Sequence, residues 1–137
     1  METTIYKVDD ALDFAVKFLY KLYEKNHRVM VLYQDEEFAN ELDRVLWIFK
    51  QSAFVPHVKE DSQLAEMTPI VLAKQNAANI NKADVVLMFN QLDVPGEYSR
   101  VVKVFDDRAL YEQAKQKDKS AICWVQKDEK WEKEANG

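Results

Sequence analysis

Val29-Met30-Val31-Leu32-Tyr33 and Val85-Val86-Leu87-Met88-Phe89 are apolar runs with no polar residue breaking them. A strand with one face in water alternates apolar and polar side chains. A run without alternation suits a strand covered on both faces, and that requires a parallel sheet with material packed above and below it. Ile70-Val71-Leu72-Ala73 has the same character. The remaining expected strands are residues 3–8, 100–105 and 120–126. Helices are expected from Ala11 to Lys25, from Asp35 to about Phe49, and from an Asp106-Asp107 cap to about Lys117. Aspartate before an apolar-periodic segment accepts from the first helical N–H groups. Asp35-Glu36-Glu37 also suits the positive end of a helix dipole. Residues 51–67 read as loop, 76–82 as a short polar connection and 90–97 as turn. The end, residues 127–137, reads as a charged tail interrupted by Trp131. This alternation predicts an α/β three-layer sandwich with a mostly parallel central sheet, in one domain spanning 1–137.

Composition narrows the chemistry. The chain carries a formal charge of −5, which disfavours direct binding of a polyanion such as DNA. Its glycines are Gly96 and Gly137. Phosphate cradles need glycine for close backbone approach, and no G-x-G-x-x-G or G-x-x-x-x-G-K-[ST] segment occurs. The usual phosphate position after the first strand reads Lys7-Val8-Asp9-Asp10-Ala11, which presents negative charge instead. A phospho-receiver needs an aspartate after its third strand, and Ile70 to Lys74 supplies none. His27 and His57 are far apart and no metal-ligand spacing is present, so neither a metal nor a cofactor is expected. Cys123, the single cysteine, sits in a strand-like run and reads as a small core residue. The first residues lack a signal-peptide pattern and no apolar run reaches membrane-span length, so a cytoplasmic protein is expected.

The most unusual stretch is Leu46-Trp47-Ile48-Phe49-Lys50-Gln51-Ser52-Ala53-Phe54-Val55-Pro56-His57. At about 100° per residue, Phe38, Leu42, Val45, Leu46 and Phe49 fall in one sector of roughly 100°, while Trp47 lies about 180° from Phe38. Trp47 therefore points away from the apolar stripe. Tryptophan is enriched at interface hot spots.

At these residues the sequence resembles the chi subunit family of bacterial DNA polymerase III. The matching features are Arg28-Val29-Met30-Val31-Leu32 with an acidic helix start, Leu42-Asp43, Leu46-Trp47 and Ser52 to His57. Weaker likeness continues through Pro69-Ile70, residues 79–87, and Trp124-x-Gln126 with Trp131-Glu132-Lys133. The resemblance implies a nucleotide-binding-like fold without a phosphate loop, and a non-catalytic adaptor between clamp loader and single-stranded-DNA-binding protein. It implies that Trp47, Phe54, Val55, Pro56 and His57 meet a clamp-loader subunit, psi or its equivalent. It implies that Val104, Phe105, Lys115 and Lys119 receive the acidic, phenylalanine-ended tail of single-stranded-DNA-binding protein, so that DNA is met only indirectly. Many members carry an arginine and an aromatic-lysine pair on the last helix. This chain has Lys115-Gln116-Lys117-Asp118-Lys119, and lysine does not make the bidentate fork of arginine. A repair helicase in place of the clamp loader, or a phospho-receiver-like or other small α/β enzyme, are the alternatives left by the sequence.

Overall fold

A computed structural model describes residues 2–48 and 55–136. The element order is β1 (Glu2–Lys7), α1 (Ala11–Glu24), β2 (Val29–Tyr33), α2 (Glu36–Ile48), β3 (His57–Lys59), β4 (Ile70–Lys74), β5 (Val85–Phe89), β6 (Arg100–Phe105), α3 (Arg108–Lys117), β7 (Ile122–Lys127) and β8 (Lys130–Glu134). The strands form one eight-stranded sheet in the order β3-β4-β2-β5-β6-β1-β7-β8. Every pairing is parallel except β7 with β8.

β2 and β5 lie side by side in the middle of this sheet, with Val29 opposite Val85 and Val31 opposite Leu87. Each of their residues is buried. Strand alternation splits them between two cores. Val29, Val31, Tyr33, Val85, Leu87 and Phe89 face α1 and α2, meeting Leu19, Leu22, Leu42 and Leu46. Met30, Leu32, Val86 and Met88 face the other side. Part of that second side is covered by connections, with Ala65, Ile80, Val94 and Tyr98 packed on the strands. α3 covers the rest of it, packing Tyr111 and Ala114 on Ile5, Phe105, Cys123 and Val125. Helices above and below a parallel sheet make the expected three layers.

The expected caps are present in atomic detail. Asp10 accepts from the Asp13 N–H, and Asp107 accepts from Ala109 and Leu110. The Asp35 carboxylate accepts from the Glu37 N–H at 3.0 Å. Each satisfies a backbone donor that the helix itself leaves unpaired.

Two expectations are corrected. Residues 51–67 were expected to be loop, yet His57–Lys59 pairs with β4 as a short parallel strand. Residues 127–137 were expected to be a charged tail, yet Lys130–Glu134 forms β8 against β7. Asp128 and Glu129 turn that hairpin with φ of 49° and 67°. Two consecutive left-handed residues are the geometry of a tight β-hairpin. The usual glycine or asparagine is absent from the turn, so the sequence does not announce it.

The polar connection of residues 76–82 contains no helix; its function is to close one end of the sheet. Asn81 is buried and its Nδ2 donates to the carbonyls of Thr68 and Pro69 at 3.0 and 3.1 Å. Asp84 accepts from the Arg28 N–H at 2.9 Å and lies 2.6 Å from His27 Nδ1. These contacts tie the entry points of β2, β4 and β5 together.

At the far edge of the sheet, Glu134 joins β8 to α3. Its Oε1 accepts from Tyr111 Oη at 2.9 Å and Lys115 Nζ at 2.7 Å. The hydrogen bond from Lys115 holds the Glu134 carboxyl below the usual carboxylate range. A carboxyl with a lowered folded-state value stabilises the fold above its unfolded pKa and loses that contribution as pH falls through the folded one. Urea unfolding of the native chain and of Glu134→Gln should therefore differ at neutral pH, with the native chain more stable. The gap should close progressively on acidification.

Candidate functional site

In an open α/β sheet, ligands bind outside the carboxyl ends of strands where neighbouring connections leave to opposite faces. β1 and β6 form such a pair, since β1 leads to α1 on one face and β6 to α3 on the other. That edge presents Asp9, Asp10, Asp106 and Asp107. The Asp106 Oδ1 accepts from Asn90 Nδ2 at 2.8 Å, and Asp10 and Asp107 cap their helices. A phosphate here would meet carboxylates that already hold the local backbone donors. Among the described residues, no group of three or more His, Cys, Asp or Glu side chains gathers where a metal ion would fit. Cys123 is buried, and burial pushes its thiol up, away from the reactive thiolate.

The first candidate partner surface is the end of α2. Trp47 is 55% exposed, as its position on the helical wheel predicts, and Ile48 beside it is 65% exposed. The Trp47 ring lies 5.1 Å from that of His57 at a 58° tilt. His57 itself is buried. Its Nδ1 lies 2.6 Å from the Val55 carbonyl, and its Nε2 lies 3.2 Å from the Asp43 carbonyl and 3.1 Å from the Asp43 carboxylate. Val55 is also buried, in the core beneath α1 and α2, while Pro56 is half-buried. These residues therefore divide by role. Trp47 offers surface, whereas Val55 and His57 hold up the helix end that carries it. Phe49 and Phe54 lie outside the described residues.

The second candidate surface surrounds α3. Strand alternation points Val104 into the α1–α2 core and Phe105 into the α3 core, and both are buried. Of the residues assigned to a tail site, Phe105, Lys115 and Lys119 share the α3 side and Val104 does not. Lys119 is exposed. Lys115 is mostly buried against the Tyr111 ring, and Glu134 holds its ammonium. That partner comes from β8, which the sequence did not reveal. On the opposite flank of α3, Leu92, Gln113, Gln116 and Lys117 line a shallow depression of about 330 Å³. Lys103 lies buried beside it, its Nζ donating to the Leu92 carbonyl at 2.6 Å. Burial lowers the Lys103 pKa, while Asp118 and Asp93 act in the opposite direction. Lys103 was missed because a lysine in a strand pattern reads as its solvent face. Its signal was the apolar residues on both sides of it in Arg100 to Phe105.

The family model for the DNA polymerase III chi subunit, HolC, matches residues 2–124 of the 137-residue chain. The chain belongs to the DNA polymerase III chi subunit family. No curated protein matches it. The chain is thus a DNA polymerase III subunit with a role in replication. The match takes in α2 with Trp47, the buried Val55 and His57, and all of α3. It stops within β7, before β8 and its Glu134. No helix among the described residues is long and apolar enough to cross a membrane.

The division at α2 has a measurable consequence. His57→Ala leaves polar groups of residues 43 and 55 without their buried partner and should cost about 1–3 kcal/mol of stability. Trp47→Ala removes exposed surface and should cost less than about 1 kcal/mol. Thermal or urea unfolding of the two variants should separate them in that order.

Proposed function

We propose that the chain is a non-catalytic, cytoplasmic adaptor of the DNA polymerase III holoenzyme. It joins a clamp-loader subunit, psi or its equivalent, to the C-terminal tail of single-stranded-DNA-binding protein. The observation that carries this reading is the end of α2, where Trp47 and Ile48 stand exposed on a buried support. Large apolar side chains held rigidly in water lose nothing by ordering and gain from burial against a partner. The acidic carboxyl edge of the sheet is in keeping with a family member that handles no phosphate ligand. Purified protein should accordingly show no heat of ATP binding by calorimetry; tight binding would overturn the non-catalytic part of the reading.

In this reading the clamp-loader partner covers Trp47 and the segment of Phe54, Val55, Pro56 and His57, with Val55 and His57 acting as its foundation. Trp47→Ala should weaken that partner by about 2 kcal/mol or more, the usual hot-spot scale. Unchanged affinity in a folded variant would move the interface elsewhere.

The tail site in this reading lies on the α3 side of the sheet, with Phe105 backing it and Lys115 and Lys119 supplying charge. An acidic peptide ending in phenylalanine has to compete with Glu134 for Lys115, because their 2.7 Å contact already neutralises that ammonium. Glu134→Gln should therefore tighten the peptide, and the gain should shrink with salt as the charges are screened over about 8–10 Å. Deleting the terminal phenylalanine should cost more than Lys119→Ala. Calorimetry or fluorescence titration reads both effects. Peptide binding that is indifferent to Glu134→Gln and Lys119→Ala alike would remove the site from this end of α3.

A further inference from the structure

β8 is an edge strand, paired with β7 on one side and, among the described residues, with no strand on the other. Edge strands present a row of unpaired backbone donors and acceptors, and proteins usually blunt them with charge or cover them. Here Lys130, Trp131, Glu132 and Lys133 are all exposed. The hairpin closes on Lys127 opposite Lys130 across a turn with positive φ at both residues. In such a hairpin the closing pair exchanges its own backbone hydrogen bonds, and the direction alternates from there. Trp131 and Lys133 therefore direct their N–H and C=O groups outward along the free edge.

The side chains on this edge read Glu129-Lys130-Trp131-Glu132-Lys133. Laid antiparallel against itself with Trp131 on the two-fold axis, this segment sets Lys130 opposite Glu132 of the second copy and Glu129 opposite Lys133 of the second copy. Both of these pairs are then of opposite sign; Glu134, which Lys115 and Tyr111 already hold, falls opposite Asp128 of the turn. The neighbouring registers do not have this property, because centring on Lys130 or on Glu132 sets that charge against itself. Opposite charges across a strand pair stabilise it and like charges do the reverse, so the sequence selects the register centred on Trp131. In that register Trp131 and its counterpart exchange both backbone hydrogen bonds, which uses the outward groups that the hairpin leaves free.

The aromatic surroundings fit the same arrangement. Trp131 is 39% exposed and packs edge-on against Tyr6 and Phe14, at 5.5 and 5.7 Å between ring centroids. Phe14 stacks in turn on Phe18. The residual exposed face of Trp131 would be covered by the same residue of a second copy on the same face of the joined sheet. We propose that β8 is the contact strand of a symmetric dimer of this chain, formed edge to edge with Trp131 at the axis. The edge is only five residues long. It buries far less than the about 1,200 Å² at the lower end of stable specific interfaces, so the dimer is weak and reversible.

Charge reversal tests this on the whole chain. Lys130→Glu sets like charges against Glu132 twice over, once on each side of the axis, and so does Glu132→Lys against Lys130. The double variant restores both pairs with their signs exchanged. Within the hairpin Lys127 lies 3.0 Å from Glu132; Lys130→Glu and the double variant leave it a carboxylate partner whereas Glu132→Lys does not, so Lys130→Glu separates loss of the dimer from loss of the hairpin's own ion pair. Sedimentation velocity over a concentration series should show reversible dimerisation of the native chain. Each single variant should weaken it by about tenfold or more, and the double variant should bring it back. A native chain that stays monomeric at every concentration overturns the proposal. So do single variants that dimerise as the native chain does, or a double variant that stays monomeric with a native circular dichroism spectrum and melting temperature. If the double variant fails to fold, the two single variants still decide, because they alter opposite charges and must weaken the dimer alike.

Discussion

Full burial of β2 and β5 on both faces is the constraint on which the rest of this structure depends. Backbone polar groups in the middle of a protein must be paired, and a parallel sheet pairs them while leaving side chains free to fill two cores. Val29, Val31 and Leu87 then need α1 and α2 above them, and Met30, Leu32 and Met88 need cover below. A leucine or valine taken out of water in this way contributes about 1.5–3 kcal/mol. Each of the candidate partner surfaces sits at the periphery of that centre, at the end of α2, around α3 and along β8.

Peripheral placement explains how rigid support and exposed surface coexist at α2. Trp47 is presented to water because its neighbours Leu46 and Leu42 are anchored in the core and His57 is fixed beneath its ring. The support is costly to remove and the presented residue is not. Around α3 the balance differs. Lys115 is committed to Glu134, and Tyr111 donates to the same carboxylate, so the last helix is coupled electrostatically to the hairpin that follows it. The hairpin lies beyond the matched residues 2–124.

Much of this was legible from residue order. The continuous apolar runs identified the central strands, and Asp10, Asp35 and Asp107 marked the helix starts. The wheel of α2 placed Trp47 in water. The missing glycines and the Asp9-Asp10 pair spoke against a phosphate site before any geometry was known. These signals are local, because the burial of a segment and its capping leave a periodic trace within a dozen residues. The motif around Leu46-Trp47 and Phe54 to His57 identified the family, although it did not separate the exposed Trp47 from the buried Val55 and His57.

Other features exist only through contact between distant segments. β3 is three residues long and becomes a strand because β4 offers it a ladder. β8 has alternating charge and no turn glycine, and its strand character comes from pairing with β7 and from Trp131 reaching Tyr6 and Phe14 across the sheet. Lys115 and Glu134 are brought together only when α3 and β8 dock, and Lys103 becomes a buried amine only when Leu92 closes over it. Sequence by itself determined which residues must leave water and where helices begin, because those depend on the chemistry of near neighbours. Tertiary structure decided which charges are paired and which strand edge stays open, because each depends on what a remote part of the chain brings to the same place.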